Sequence, residues 1–282
     1  MGFWLPFFWA ALCLGAEPPF NVSWPGKAAQ GGVFVVTVSG SREMGRVEGK
    51  WGDQAVYFFA VSSRSFAALS GVDLEKAPGK YGWSLSVIPE KGRRWKTKGE
   101  FDVAAGTFPV QRLNLPEEMV EFDQATRQRV DREMARLKAI FKAASQSRYW
   151  AGGFDRPVKG VRLSSNFGLQ RIMNEKPGFR HTGVDFRGAT GKPVRSINRG
   201  RVALVATQYL GGNMVVIDHG LGLYSVYSHL HKVLVEEGKE IQKGQTIGQV
   251  GQTGRATGPH LHFAVRLNEA RVDPVLLLRL KI

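Results

Sequence analysis

The chain has 282 residues, 43% of them hydrophobic, and a formal net charge of +15. That is enough apolar content for a packed core in one large or two modest domains, and after the first twenty residues no stretch is long and apolar enough to cross a bilayer as a helix. The single cysteine, Cys13, excludes an internal disulfide and a multi-thiolate metal site, so any metal must be held by His, Asp or Glu.

Phe3 to Gly15 is almost entirely apolar and ends at Glu17-Pro18-Pro19. This is the length of a secretory signal core and too short for a membrane span, so residues 1–16 are expected to be a signal peptide cleaved after Ala16. No Lys or Arg precedes the apolar run, and Leu12 stands before Cys13 where a lipid-anchored cysteine needs a small residue. The expected location is therefore the periplasm, the cell envelope or outside the cell. The positive charge would then face anionic envelope polymers, with nucleic acid out of reach.

Residues 17–114 read as a small antiparallel β-sandwich. Val33 to Val38 and Gln54 to Val61 are short strand-like runs, and Tyr81 to Val87 alternates large apolar with small residues. Residues 115–150 read as a helical linker. Asn114 is a candidate cap, Pro116 suits the first turn, and a break near Asp123 is expected. Val130, Met134, Leu137 and Phe141 make one apolar stripe that would lay the helix on a domain.

From residue 151 glycine is frequent and short β-branched runs recur: Gly200 to Ala206, Asn213 to Asp218, Leu223 to Ser228, Thr246 to Val250 and His262 to Leu267. Residues 151–282 thus read as a second, all-β domain.

All six histidines lie in this last part: His181, His219, His229, His231, His260 and His262. In an extended Pro259-His260-Leu261-His262-Phe263-Ala264-Val265, alternation points His260, His262 and Ala264 one way and Leu261, Phe263 and Val265 into a core. In His181-Thr182-Gly183-Val184-Asp185, a His and an Asp can reach one ion. Two histidines, a carboxylate and an open position match a catalytic zinc pattern. His-Glu-x-x-His is absent, so a helix-borne site is excluded. His219, in Asp218-His219-Gly220, reads as a structural residue at a turn, and His231 as exposed.

Four segments together resemble the M23 metallopeptidases, the LytM or lysostaphin-like peptidases. They are Ser165-Asn166-Phe167-Gly168, His181 to Asp185, Tyr227-Ser228-His229-Leu230 and Gly258-Pro259-His260-Leu261-His262-Phe263. The run Ile241 to Thr253 is also similar, and the likeness covers roughly residues 151–275. It implies one zinc ion on His181, Asp185 and His262. It gives His260 the role of acting on the attacking water and makes His229 its catalytic partner, stabilising the oxyanion. The strand alone leaves open which of His260 and His262 binds metal. The implied activity is hydrolysis of the peptide cross-links of bacterial peptidoglycan, with a bond between a D-amino acid and a diaminopimelate side chain favoured over a glycine bridge. Many members have arginine where this chain has Gln170.

Two other readings compete. One is a non-catalytic LytM-type regulator that binds cell wall or activates a wall amidase. The other is a basic envelope-binding module whose histidines buffer metal. The sequence also suggests that the part before residue 151 controls access to the site.

Overall fold

A computed structural model describes residues 19–113 and 122–282. The expected signal peptide and the Asn114 cap lie outside them. Among the described residues no helix is long and apolar enough to cross a membrane.

The N-terminal half contains β1 (Phe20–Ser23), β2 (Lys27–Ala29), β3 (Val33–Gly40), β4 (Met44–Trp51), β5 (Gln54–Ser62), β6 (Ser65–Gly71), β7 (Gly79–Pro89) and β8 (Trp95–Ala104). They form one curled sheet in the order β1-β3-β6-β5-β4-β7-β8-β2. Its pairs are antiparallel except β2 with β8. The curl is made by β5: its first residues, Gln54–Tyr57, pair with β4, and from Phe58 on it pairs with β6. One strand thus belongs to both layers of the sandwich. The interior holds Phe34, Val36, Trp51, Val56 and Phe101 at one end and Phe20, Val38, Val47, Leu85 and Val87 at the other.

A connecting strand, β9 (Val110–Leu113), and a helix, α1 (Gln124–Lys142), follow. Asp123 caps the helix, accepting from the Thr126 N–H at 2.7 Å, so the expected break at Asp123 is the start of the helix. The apolar stripe is narrower than expected. Leu137 and Phe141 are buried and Ile140 packs beside them, but Met134 is 54% exposed. The contact line runs through Glu133 instead, whose carboxylate accepts from the Tyr209 N–H and from Arg129.

The C-terminal half is β10 (Leu163–Ser165), β11 (Gln170–Met173), β12 (Lys176–Arg180), β13 (Val184–Arg187), β14 (Pro193–Arg195), β15 (Gly200–Gln208), β16 (Gly212–Gly220), β17 (Leu223–Val233), β18 (Glu240–Ile241), β19 (Thr246–Val250), β20 (His260–Leu267), β21 (Ala270–Val272) and a short helix, α2 (Pro274–Arg279). Ten of these strands form one sheet whose main path is β10-β13-β20-β17-β16-β15-β18. One face carries the largest core, including Phe186, Val215, Ile217, Tyr227, Leu261, Phe263 and Val265. α1 covers part of the other face, packing Leu137 and Phe141 on Leu204, Met214, Val216, Tyr224, Val226 and Ala264. Ala264 therefore shares a face with His260 and His262 but lies under the helix. The uncovered end of that face is where the histidines stand.

The two halves are not merely tethered. Leu69 of the N-terminal sheet and Leu74 in the turn after β6 are buried in the large C-terminal core, with Val33, Val35 and Phe59 packed against it. Gly71 is needed for this approach, since a Cβ there would stand 2.5 Å from Val272 Cγ1. Arg271 donates to Asp73 through Nε (2.9 Å), Nη2 (2.6 Å) and its backbone N–H (2.8 Å), and Nη2 also reaches Glu75 at 2.9 Å. Arg271 outweighs burial and holds the Asp73 carboxyl below its usual range. β9 pairs in parallel with β11, which pairs with β12, so the chain between the halves extends the hairpin leading to His181.

Candidate active site

Three elements set the position of the cluster. His181 follows β12 and is held by reciprocal backbone bonds, Gly168 N–H to His181 O (2.8 Å) and His181 N–H to Leu169 O (2.9 Å). Asp185 on β13 lies directly opposite His262 on β20, and His262 in turn lies opposite Ser228 on β17. His260 stands two residues before His262 on the same face.

The side chains converge. His181 Nε2 lies 3.1 Å from Asp185 Oδ1 and 2.9 Å from His262 Nδ1, and the latter lies 2.9 Å from Asp185 Oδ1. His260 Nε2 is 3.9 Å from the same carboxylate oxygen. The His229 and His260 rings are 4.7 Å apart between centroids. All five expected residues therefore meet in one place.

The backbone fixes the tautomers, because a carbonyl partner can only accept. His181 Nδ1–H donates to Asn166 O, His229 Nδ1–H to Thr253 O and His260 Nδ1–H to Gly258 O, each at 2.8 Å. Each neutral ring is left with its lone pair on Nε2. At His181 that lone pair faces Asp185 Oδ1 and His262 Nδ1, an acceptor-rich triangle. Ligand atoms about 2.0–2.1 Å from a tetrahedral zinc lie about 3.3 Å apart, close to the observed sides. Two imidazoles and one carboxylate on hydrogen-bonded strands thus fit a divalent transition metal.

Burial opposes the charge on Asp185, but the imidazoles of His181 and His262 beside it outweigh burial and hold its carboxyl far below the usual range. Burial pushes His262 down, and it pushes His229 down to about 4 with His262 adding to the effect. His229 is therefore neutral near pH 7. It also sits at φ +61°, at a bulge where β17 spends one residue more than β16. The bulge turns the ring toward His260 and not along the strand alternation.

Thr253 is the residue that the sequence did not reveal. Its carbonyl holds His229, its hydroxyl donates to Leu230 O at 2.8 Å, and Asn213 N–H donates to that hydroxyl at 3.0 Å. A Cβ at Gly212 (φ +60°) would collide with the Thr253 backbone, so glycine lets this loop close. The hints in sequence were the turn Gly251-Gln252-Thr253-Gly254 and the M23-like run Ile241 to Thr253 that ends on it.

The remaining residues fall as expected or beside the site. His219 is fully buried: Nδ1–H donates to Arg199 O (2.8 Å), and Nε2 pairs with Ser225 Oγ (2.7 Å), itself 3.0 Å from Tyr227 Oη. Burial lowers its pKa to about 4. Asp218 serves the turn, accepting from Gly220 N–H at 2.7 Å, and His231 is exposed. Gln170 bridges the β11–β12 hairpin, donating to Gly178 O (2.6 Å) and accepting from Arg180 Nε (3.1 Å).

The model of Peptidase family M23 matches residues 179–274, which include all five residues of the cluster. The DD-carboxypeptidase/endopeptidase Mpg of Neisseria meningitidis is 38% identical over 125 residues, 44% of this chain and 29% of that protein. The peptidoglycan DD-endopeptidase ShyA of Vibrio cholerae is 43% identical over 103 residues, 36% of this chain and 24% of that protein. The matched part thus spans less than a third of either relative. A crystal structure assigned to peptidase M23 from Pseudomonas aeruginosa is similar over 89% of this chain and 94% of its own, with 31% identity and a TM-score of 0.68.

Proposed function

The chain belongs to peptidase family M23, and on that premise we propose that it is a zinc-dependent endopeptidase that hydrolyses peptide cross-links of bacterial peptidoglycan. The observation that carries this reading is the triangle of His181 Nε2, Asp185 Oδ1 and His262 Nδ1, with the Nε2 lone pairs of His260 and His229 beside it. Relatives named peptidoglycan DD-endopeptidases support the substrate class. The bond between a D-amino acid and diaminopimelate is the first candidate. The work of such an enzyme lies outside the cytoplasm, in keeping with an export signal at residues 1–16.

His181, Asp185 and His262 would hold the ion. When bound, zinc supplies Lewis acidity, making water nucleophilic near neutral pH and polarising the scissile carbonyl. His260, its Nδ1–H committed to Gly258 O, accepts the water's proton at Nε2 and returns it to the leaving amine. His229 starts as a hydrogen-bond acceptor, because its Nδ1–H is committed to Thr253 O and burial keeps the ring neutral. His229 Nε2 is thereby placed to accept a hydrogen bond from the attacking water, and its contact with the oxyanion would require Nε2 to take up the water's second proton. Asn166 O and Thr253 O keep His181 and His229 in the working tautomer.

The test is digestion of purified cross-linked wall with mass analysis of the released fragments. Wild type should release cross-link-cleaved peptides, lose this to a chelator and regain it with zinc, while His262→Ala should release none. Binding of wall without cleavage in the zinc-loaded wild type would instead support the non-catalytic regulator.

A further inference from the structure

The N-terminal sheet has a second feature that the cluster does not use. Along the middle of its outer face, between Lys80 and Ile88, the strand β7 presents small residues, Gly82, Ser84 and Ser86, while its neighbours present long ones. Lys50 on β4 and Lys98 on β8 both lie opposite Ser84, and Glu48 and Lys96 both lie opposite Ser86. The result is a trough of about 710 Å³ whose rim carries Lys50, Arg94, Lys96 and Lys98. A hollow of about 430 Å³, lined by Gly52, Gly82 and Gly99, continues it. The rims stand two strand spacings apart, roughly 10 Å, the width of one extended polymer chain.

Cations outnumber carboxylates along the trough, with Glu48 in the larger hollow and Glu100 in its continuation. Glu48 is the one carboxylate lining the larger hollow, and Arg46 pairs with it at 2.9 Å. Among the described residues none of Lys50, Arg94, Lys96 and Lys98 enters an ion pair, and all four are exposed. On the floor, the Ser86 hydroxyl is covered and has no hydrogen-bond partner. The opposite outer face of the sandwich, with Val33, Val35, Phe59 and Leu69, is buried on the C-terminal half, so the trough lies on the side away from the histidine cluster.

We infer that this trough is an anchoring site for peptidoglycan itself, gripping the free carboxylates of its stem peptides along one strand while the histidine cluster works on another. The inference rests on the function proposed above. Four unpaired cations on two parallel rims complement a chain with regularly repeated carboxylates. A second attachment raises the local concentration of an insoluble substrate at the site without touching the chemistry.

The experiment is sedimentation of the full chain with purified insoluble wall at low salt, beside cleavage of a small soluble cross-linked fragment. Three proteins are compared: wild type, the triple variant Lys50→Gln, Lys96→Gln and Lys98→Gln, and a control triple, Arg132→Gln, Lys138→Gln and Lys159→Gln. The trough variant should bind wall about tenfold more weakly, from the loss of three exposed charge pairs. The control should stay within about twofold of wild type, and all three should cleave the soluble fragment equally. Amidating the wall carboxylates should weaken wild-type binding to the level of the trough variant. Equal losses in both triples, unchanged binding in the trough variant, or wild-type binding that survives amidation would overturn the inference. So would a trough-dependent preference for anionic vesicles or a phosphate polymer over wall. If wild type pellets with wall but leaves the soluble fragment uncut, the proposed function fails and the anchor stands.

Discussion

Leu74 tests whether the two halves fold as one body. It belongs to the N-terminal half, yet its side chain is fully buried in the C-terminal core and its N–H donates to Arg271 O at 3.1 Å. Leu74→Ala leaves a cavity between the halves that the Asp73–Arg271 clamp keeps from collapsing, since three bonds hold that pair in place. A fully buried Leu→Ala change in a site that cannot relax costs about 3 kcal/mol, mid-range for such changes. For a unit of this size each kcal/mol lowers Tm by roughly 2–4 °C, so a fall of roughly 6–12 °C is expected. The assay is thermal unfolding followed by near-ultraviolet circular dichroism, beside loss of hydrolytic activity on the same temperature ramp. Both should shift together in a single transition. Two resolved transitions, with activity loss where it was in wild type, would refute the shared core.

Two further expectations follow from the hydrogen bonds around the histidines. Thr253→Val removes the hydroxyl that ties its loop to Leu230 and Asn213, so His229 loses its fixed orientation; turnover should fall about tenfold while zinc stoichiometry stays at that of wild type. His219 has a folded pKa of about 4 against about 6.5 unfolded, so the unfolded chain takes the proton first as pH falls. Its contribution is complete above pH 6.5 and is lost through the window down to 4, roughly 2 kcal/mol between pH 7 and 5. Urea midpoints at those two pH values should separate less in His219→Gln than in wild type.

Short β-branched runs and one alternating stretch were legible in the sequence as strands. Thr246 to Val250 has the same ends in both descriptions, and the alternation around His260 and His262 predicted which residues fill the core. β6 was not legible: Ser65–Gly71 is rich in small residues and is buried on both faces, so it carries no alternation. Met134 misled because periodicity does not reveal that Glu133, one residue away, has a backbone N–H to satisfy. β9 is invisible for another reason, since its parallel partner lies sixty residues on, at Gln170 to Met173. At the site, the side-chain set was read from motifs, but the groups that orient it are backbone carbonyls of Asn166, Thr253 and Gly258, which any residue could supply. The bulge that re-aims His229 is likewise set by pairing and not by composition.

Asp185 and His262 face each other across β13 and β20, and this pairing gives metal uptake a second meaning. A slip of a single residue between those strands would throw one of the two donors to the far side of the sheet. If the triad holds a metal as proposed, ion capture would report strand alignment, because only molecules in the native register offer all three donors at once. Cobalt added to a refolded preparation should count the correctly threaded molecules, whatever fraction of the rest looks equally rich in β structure.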